Sequence, residues 1–400
     1  MQSSDWLSVL ARIALPCVVA VVLQLQPLPD LLQTNLKAGR KAEQAGNSLK
    51  AAEHYAAAAE AQPWREGLLE KAGLLFYEGG DDPQAALALQ GALDREQLSE
   101  TGQVALGNAY YQTGAYPQAM EIWTSLLQDP AIDSAFYEDV TEKLAAAGLV
   151  EDQTAVYSQW VVNDPDNSRA VYRLGMLQSV YDPLQAVSFL SLAKSLDSSL
   201  AEPVDEVLDV LASMQEADER YRLVMVGRTL GNLGEWAIAN QAFQKAVDLD
   251  PEYGDAWAFL AESLQQLGKP ALKAIETANE LSPDSIGVKT LTAMYWQRQN
   301  KPELALQIMQ EIADSRPGEY IWLIEMGNIA ADGGDLDTAL TYITQAIEAE
   351  PQNPQWRRAL VAFCLENNYE IRTLGLPAAR EYLRLSQESA DALSIMGAVM

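Results

Sequence analysis

The sequence predicts an all-α solenoid in which short antiparallel helix pairs stack on one another along the chain. Three observations predict it. Pro251, Pro283, Pro317 and Pro351 are spaced 32, 34 and 34 residues apart. Small and large residues recur in phase between those prolines. Glycine and proline fall at intervals and not in blocks, which suits many short helices joined by tight turns. With 48% hydrophobic residues over 400 positions, the chain has ample material to bury a core and is not disordered as a whole.

Each periodic proline follows an alanine-rich helix, as in Ala-Val-Asp-Leu-Asp-Pro251 and Ala-Ile-Glu-Ala-Glu-Pro351. Proline lacks an amide donor and cannot continue a helix interior, so it stops one unit and begins the next turn. The unit ending at Pro351 carries Gly327, Gly334, Ala339, Ile343 and Ala346. The unit ending at Pro251 carries Gly227, Leu230, Gly234, Ala239, Phe243 and Ala246. Before Pro317 the same places hold Ala293, Trp296, Asn300, Ala305, Met309 and Ile312, and before Pro63 they hold Gly39, Ala42, Gly46, Ala51, Tyr55 and Ala58. A small residue on each helix lets the pair approach closely at its crossing, and the large residue fills the gap beside it. Gly or Asn in mid-unit takes the left-handed conformation that ends the first helix. Neither helix can bury its apolar stripe alone, so each unit must stack on its neighbours.

This pattern resembles the tetratricopeptide-repeat (TPR) family, with its small-x2-aromatic or aliphatic spacing, then Ala-x3-large, then Pro. Units start near Leu32, Glu66, Glu100, Ser134, Ser168, Arg220, Gly254, Ile286, Tyr320 and Pro354, with a partial unit near Ala390. The resemblance implies a right-handed superhelix of helix pairs. It divides the chain into an N-terminal segment 1–31, a first repeat block 32–200, an acidic connecting helix 201–219 and a second block 220–400. Val204, Val207, Leu208 and Leu211 give that connecting helix one apolar face. Three units depart from the pattern. The one from Ser134 has Thr141 and Gln153 at small positions, so looser or shifted packing is expected there. The one from Ser168 is a residue short before Ala186, and the one from Pro354 has an insertion around Ile371 to Leu376.

Residues Trp6 to Leu25 are apolar apart from Ser8, Arg12 and Gln24, with Pro16 among them. Ile13 to Leu23 has the length of a signal h-region, but no small-x-small pair follows it and cleavage is not expected. Leu15-Pro16 ahead of Cys17 does not make a lipoprotein box. The segment is long enough for a single-pass N-terminal membrane anchor if Arg12 snorkels. Arg12 points the repeats to the extracytoplasmic side, whereas Lys37, Arg40 and Lys41 behind the span argue for the opposite orientation. Cys17 and Cys364 are the two cysteines, and no structural disulfide is expected between them.

The formal charge is −29, from 27 basic and 56 acidic residues. A surface that acidic repels phosphate backbones, so nucleic acid is not an expected partner. It keeps a long alanine-rich array soluble, and it also allows an acidic groove selecting basic partners. Little points to chemistry. The only histidine, His54, adjoins the packing residue Tyr55 and has no ligand-spaced Cys or carboxylate, so no zinc site is expected. Gly79-Gly80-Asp81-Asp82 and Asp332-Gly333-Gly334-Asp335-Leu336-Asp337 look like calcium loops but lack the closing Glu, and they fall at mid-unit turns. No phosphate loop or nucleophile elbow occurs. Trp123, Trp257, Trp296, Trp322 and Trp356 fall mostly at packing positions. The expectation is a protein with no catalytic site, cofactor, metal or evident small-molecule substrate.

In TPR proteins the first helices line a concave groove that holds an extended peptide or a helix. Carried over by position, the groove of the second block includes Tyr221, Val224, Arg228, Ala258, Glu262, Gln265, Met294, Gln297, Arg298, Ile324 and Asn328. This mixture suits a peptide with backbone and side-chain contacts. One TPR subtype grips a C-terminal carboxylate with Lys, Asn and Arg groups on successive first helices. The best match is Val104 and Asn108, then Asp139, then Arg169 and Arg173. It lacks the leading lysine and puts an acid at the middle amide, so no such clamp is expected. The resemblance implies a membrane-tethered, non-catalytic scaffold for a protein or peptide partner. Two other readings are a substrate-recruiting arm of a larger enzyme, such as a TPR-bearing glycosyltransferase, and a purely structural spacer. Ser394 to Met400 reads as an uncovered first helix, and the natural chain is expected to continue.

Overall fold

The computed structural model describes residues 30–387 and 389–400. Among these residues there are 22 α-helices and no strand. They cluster into two compact units, the first ending at Pro165 and the second beginning at Asp166.

The first unit is four hairpins: α1 (Asp30–Gln44) with α2 (Ser48–Ala61), α3 (Leu68–Glu78) with α4 (Asp82–Leu93), α5 (Glu100–Gln112) with α6 (Tyr116–Leu127), and α7 (Ser134–Ala147) with α8 (Val150–Asn163). The second unit opens with α9 (Ser168–Tyr181) and α10 (Pro183–Leu196), and then the unpaired α11 (Ala201–Ser213). Next come α12 (Glu219–Asn232) with α13 (Trp236–Leu249), α14 (Gly254–Gln266) with α15 (Leu272–Leu281), and α16 (Ile286–Arg298) with α17 (Pro302–Ser315). Then follow α18 (Ile321–Asp332) with α19 (Leu336–Ala349), α20 (Pro354–Glu366) with α21 (Leu376–Leu385), and α22 (Ala390–Ala398). The repeat arithmetic placed these starts closely. Glu100, Ser134, Ser168, Gly254, Ile286, Pro354 and Ala390 coincide with observed helix starts, and Leu32, Glu66, Arg220 and Tyr320 fall within two residues of theirs.

Short polar side chains begin many of the helices. Ser99 Oγ accepts from the Gly102 amide at 3.2 Å, Asn167 Oδ1 from Ala170 at 3.0 Å and Ser285 Oγ from Val288 at 3.3 Å. Each satisfies an amide that the first turn leaves without a partner. Asp81 and Asp335, from the two calcium-like turns, do the same for Gln84 and Thr338. The left-handed residue that ends a first helix is Gly234 at φ 80° in one hairpin and Asn300 at φ 56° in another, the two residue types that tolerate it best.

Hairpin crossings are close because one partner is small. A Cβ on Gly227 of α12 would lie 2.5 Å from Phe243 Cε1 of α13. Gly227→Ala is therefore expected to cost about 1–3 kcal/mol by overpacking, measured by chemical unfolding. A stability equal to the parent's would mean that the ring relocates freely. In the hairpin from Ser134 the crossing holds a bulkier pair. Thr141 and Gln153 are both buried, and Gln153 Nε2 donates to the Thr141 carbonyl at 3.2 Å. The hydrogen bond satisfies a polar group that the crossing would otherwise strand.

At three places that the sequence reading marks as irregular, the structure shows how the chain accommodates the irregularity. The connecting helix, expected over 201–219 between two blocks, is the shorter α11, Ala201–Ser213, and falls inside the second unit. It buries Val204, Val207 and Leu211, while Leu208 stays partly exposed. The missing residue before Ala186 is absorbed by Asp182, which is at once the C-cap of α9 and the N-cap of α10. The insertion after α20 is a π-helical turn, Ile371–Gly375, that runs directly into α21.

Cys364 is wholly buried in α20, and burial, with Glu370 nearby, pushes its thiol up to about 11. At about pH 8 only about a thousandth is thiolate. Alkylation of this residue by iodoacetamide is expected to run at least about 100-fold slower in the folded chain than in denaturant, followed by peptide mass spectrometry. Comparable rates would show that α20 opens readily.

Among the described residues no helix is long and apolar enough to cross a membrane. The segment Trp6 to Leu25 lies outside the described residues.

Candidate functional site

The first helices α12, α14, α16 and α18 of the second unit carry all eleven groove residues expected from the sequence. The structure sorts them into three groups. Val224, Ala258 and Ile324 are buried at 3%, 0% and 6% exposure, so they pack between helices and offer no surface. Tyr221, Arg228 and Asn328 are exposed. Glu262, Gln265, Gln297 and Arg298 are bound into lateral contacts between neighbouring repeats, and Met294 is half-buried among them.

Those lateral contacts form a ladder. Arg298 of α16 pairs fork to fork with Glu262 of α14, Nη2 lying 2.8 Å from Oε1 while Nη1 meets Oε2. Arg298 Nη1 also donates to Gln265 Oε1 at 3.0 Å, and Gln265 Nε2 donates to the Tyr295 carbonyl at 3.3 Å. Gln266 Nε2 donates to Glu262 Oε1 at 3.1 Å. One step along, Gln297 Nε2 donates to Asp332 Oδ2 of α18. Glu262 is 8% exposed, so its oxygens are met by these partners and hardly by water.

At the other end the core reaches the surface through stacked rings. Gly227 makes room for Phe243, Phe243 stacks on Phe259 with centroids 5.5 Å apart, and the Arg228 guanidinium lies 5.2 Å from the Phe259 centroid. A cation over a ring face is attracted by the ring quadrupole, and the stack fixes where that cation stands. Sequence reasoning missed Phe259 and Asp332. The signal that points to Asp332 is diagonal, because partners across neighbouring repeats lie 35 or 36 residues apart in Gln297–Asp332 and Glu262–Arg298, close to the repeat period. Phe259 lies 31 residues from Arg228 and has no such signal.

The remaining expected positions have ordinary roles. His54 Nδ1 lies 3.1 Å from Asn35 Oδ1. Trp123 is fully buried and Trp356 is 8% exposed. Trp257 Nε1 donates to the Pro251 carbonyl at 2.9 Å, Trp322 Nε1 to Glu319 at 3.1 Å and Trp356 Nε1 to Glu350 at 2.9 Å. Of the clamp-like set, Asp139 pairs with Lys143 and Arg173 with Glu235. Those charges are engaged within their own units.

The family profile "Tetratricopeptide repeat" matches residues 70–135, 225–285, 293–354 and 324–368, together just over half of the chain. The chain belongs to the tetratricopeptide-repeat family. It is 23% identical over 272 residues to Superkiller protein 3 of Schizosaccharomyces pombe, which covers 61% of this chain and 18% of that protein. The TPR chain thus spans about a fifth of the length of the curated relative it matches. Among solved structures it is similar to yeast Tom70, 14% identical, with 92% of this chain and 95% of that one covered at a TM-score of 0.37. It is also similar to YrrB, a TPR protein with an unusual peptide-binding site. That match is 19% identical, covers 51% of this chain and 96% of that one, and has a TM-score of 0.30.

Proposed function

We propose that this TPR protein is a non-catalytic scaffold that holds a partner peptide or helix along the first-helix face of its second unit. The observation that carries the reading is the ladder from Arg228 on Phe259 through Glu262, Gln265 and Arg298 to Gln297 and Asp332. It ties four successive first helices into one face whose side chains are ordered before any partner arrives. Pre-ordering lowers the entropy cost of binding. The face leaves Tyr221, Arg228 and Asn328 exposed for contact. Four helices spaced about 10 Å apart span about 30 Å, the length of about nine extended residues.

In this reading the apolar segment Trp6 to Leu25 tethers the repeats to a membrane, with the repeats on the extracytoplasmic side. Its composition and its single leading cation support that placement.

One experiment addresses both parts. Affinity capture from the native envelope fraction is expected to recover a partner with the parent chain. Recovery should drop at least about tenfold, equal to about 1.4 kcal/mol, when Arg228→Glu is combined with Asn328→Ala. Arg298 is left intact, because its loss would also strand Glu262. Unchanged recovery with the double variant overturns the groove assignment. Removing residues 1–31 is expected to move the chain to the soluble fraction, and retention with the membranes would overturn the tether.

A further inference from the structure

A second surface on the same unit lies away from the ladder. Helices α10 and α11, with the start of α12, enclose an open groove of about 940 Å³. Its apolar lining comes from Pro183, Leu184, Val187, Leu208, Leu211 and Ala212. Leu184, at 78%, is the most exposed of the described Leu, Ile and Val side chains, and Val187 is 42% exposed. The groove exists because α11 has no hairpin partner of its own.

The outward face of α10 is poorer in charge than those of α13 and α17, and as poor as those of α4 and α6, which carry one charged residue each. On α13 the exposed positions include Gln244 and Asp248, and on α17 Gln310, Glu311 and Asp314. Helix α10 has one charged residue in fourteen, Lys194, and Asp205 of α11 already binds it at 2.6 and 2.7 Å. What sets α10 apart is that its exposed Leu184 and Val187 line a groove, and contiguous apolar surface in a groove marks a place where something else packs.

Charge indicates what packs there. The lining carboxylates are Asp182 and Asp209. Asp182 caps α10 by accepting from the Gln185 amide at 3.1 Å, from Gln185 Nε2 at 2.8 Å and from the Leu184 amide at 3.1 Å, and these bonds hold its carboxyl below the usual range. The lining cation, Arg222, faces Glu219 at 3.5 Å. An apolar trough edged by carboxylates suits leucine-like side chains flanked by Lys or Arg. A second copy of a chain carrying −29, an anionic membrane or a nucleic acid would all be repelled. The walls are helices with their backbone groups already bonded, so the occupant must satisfy its own backbone, as a helix does.

We infer that the groove between α10 and α11 docks a basic amphipathic helix of a partner protein, its apolar stripe on Leu184, Val187 and Leu208 and a Lys or Arg beside Asp209. This goes beyond the first-helix reading and does not depend on it.

The test titrates the full chain with a fluorescein-labelled synthetic peptide of about four helical turns, built from Leu and Lys with Leu at i, i+3, i+4 and i+7. One control has the same composition in scrambled order, and another has Glu in place of Lys. Saturable binding of the striped Lys peptide is expected, with the scrambled and Glu peptides at least about tenfold weaker. Leu184→Glu combined with Val187→Glu should weaken the striped peptide at least about tenfold. Asp209→Lys should shift preference toward the Glu peptide, and Arg228→Glu should change nothing. Helical circular dichroism checks that each variant folds, which exposed positions favour. Equal binding of the scrambled peptide, unchanged affinity in the Leu184/Val187 variant, or loss on Arg228→Glu each overturns the proposal. So does a parent dimer, seen by sedimentation velocity, that Leu184→Glu dissociates.

Discussion

Trp123→Ala is expected to destabilise the first unit by about 3–5 kcal/mol, the largest loss from any single truncation considered. Trp123 is fully buried in α6, with Gly107 of α5 against its indole and the Tyr111 ring centroid 6.0 Å away. Removing the indole leaves a cavity at a crossing already narrowed by that glycine, and two stacked helices cannot collapse to fill it. Trp123→Phe should behave differently. Among the described residues the Trp123 Nε1 has no acceptor, so a phenyl ring removes an unsatisfied donor while keeping much of the volume. A loss under about 1.5 kcal/mol is expected for it. Urea unfolding followed by circular dichroism, with hydrogen exchange over α5 and α6, separates the two outcomes. Equal losses would show that the indole nitrogen has a partner after all.

Arg298→Ala is expected to cost about 2 kcal/mol. Breaking a buried pair costs about 3–5 kcal/mol, and the value is reduced here because the Arg298 side chain remains 34% exposed and water screens part of the charge. The loss arises at Glu262, whose side chain is 9% exposed and keeps Gln266 as its remaining side-chain donor. Adding Glu262→Gln to Arg298→Ala should recover at least half of the loss, because the amide removes the stranded charge. A double-mutant cycle measures this directly. Additive losses would show that the two side chains do not act as a pair. The same cycle bears on function. A binding defect caused by Arg298 alone would mix a lost contact with a disturbed ladder, whereas Arg228 and Asn328 report on the exposed face.

Much of the fold was readable from residue spacing. Repeat position places Gly39 opposite Tyr55 and Gly227 opposite Phe243, and the structure brings each glycine against its ring. The mid-unit turn residues were equally legible, since Gly234 and Asn300 occupy the left-handed conformation that their place in the unit requires. The candidate site was less so. Position alone marked Val224, Ala258 and Ile324 as groove residues, yet all three are buried. At those places the first helices sit close enough for an inward-leaning side chain to be covered by its neighbour.

The sequence by itself determined the helical hairpin, its length, its start and stop, and the small-against-large rule at each crossing. These follow from short-range chemistry: proline geometry, capping side chains, helical periodicity and side-chain volume all act within one repeat. Only the tertiary structure decided which polar groups of the first-helix face are engaged and which stand free. Arg298 is committed to Glu262, 36 residues away, while Arg228 rests on a ring. It also decided that α11 lies within the second unit and that Leu184 of α10 is left uncovered. A side chain's partner across repeats depends on rotamers and helix offsets that packing sets, and the 34-residue period gives only the approximate separation of the two.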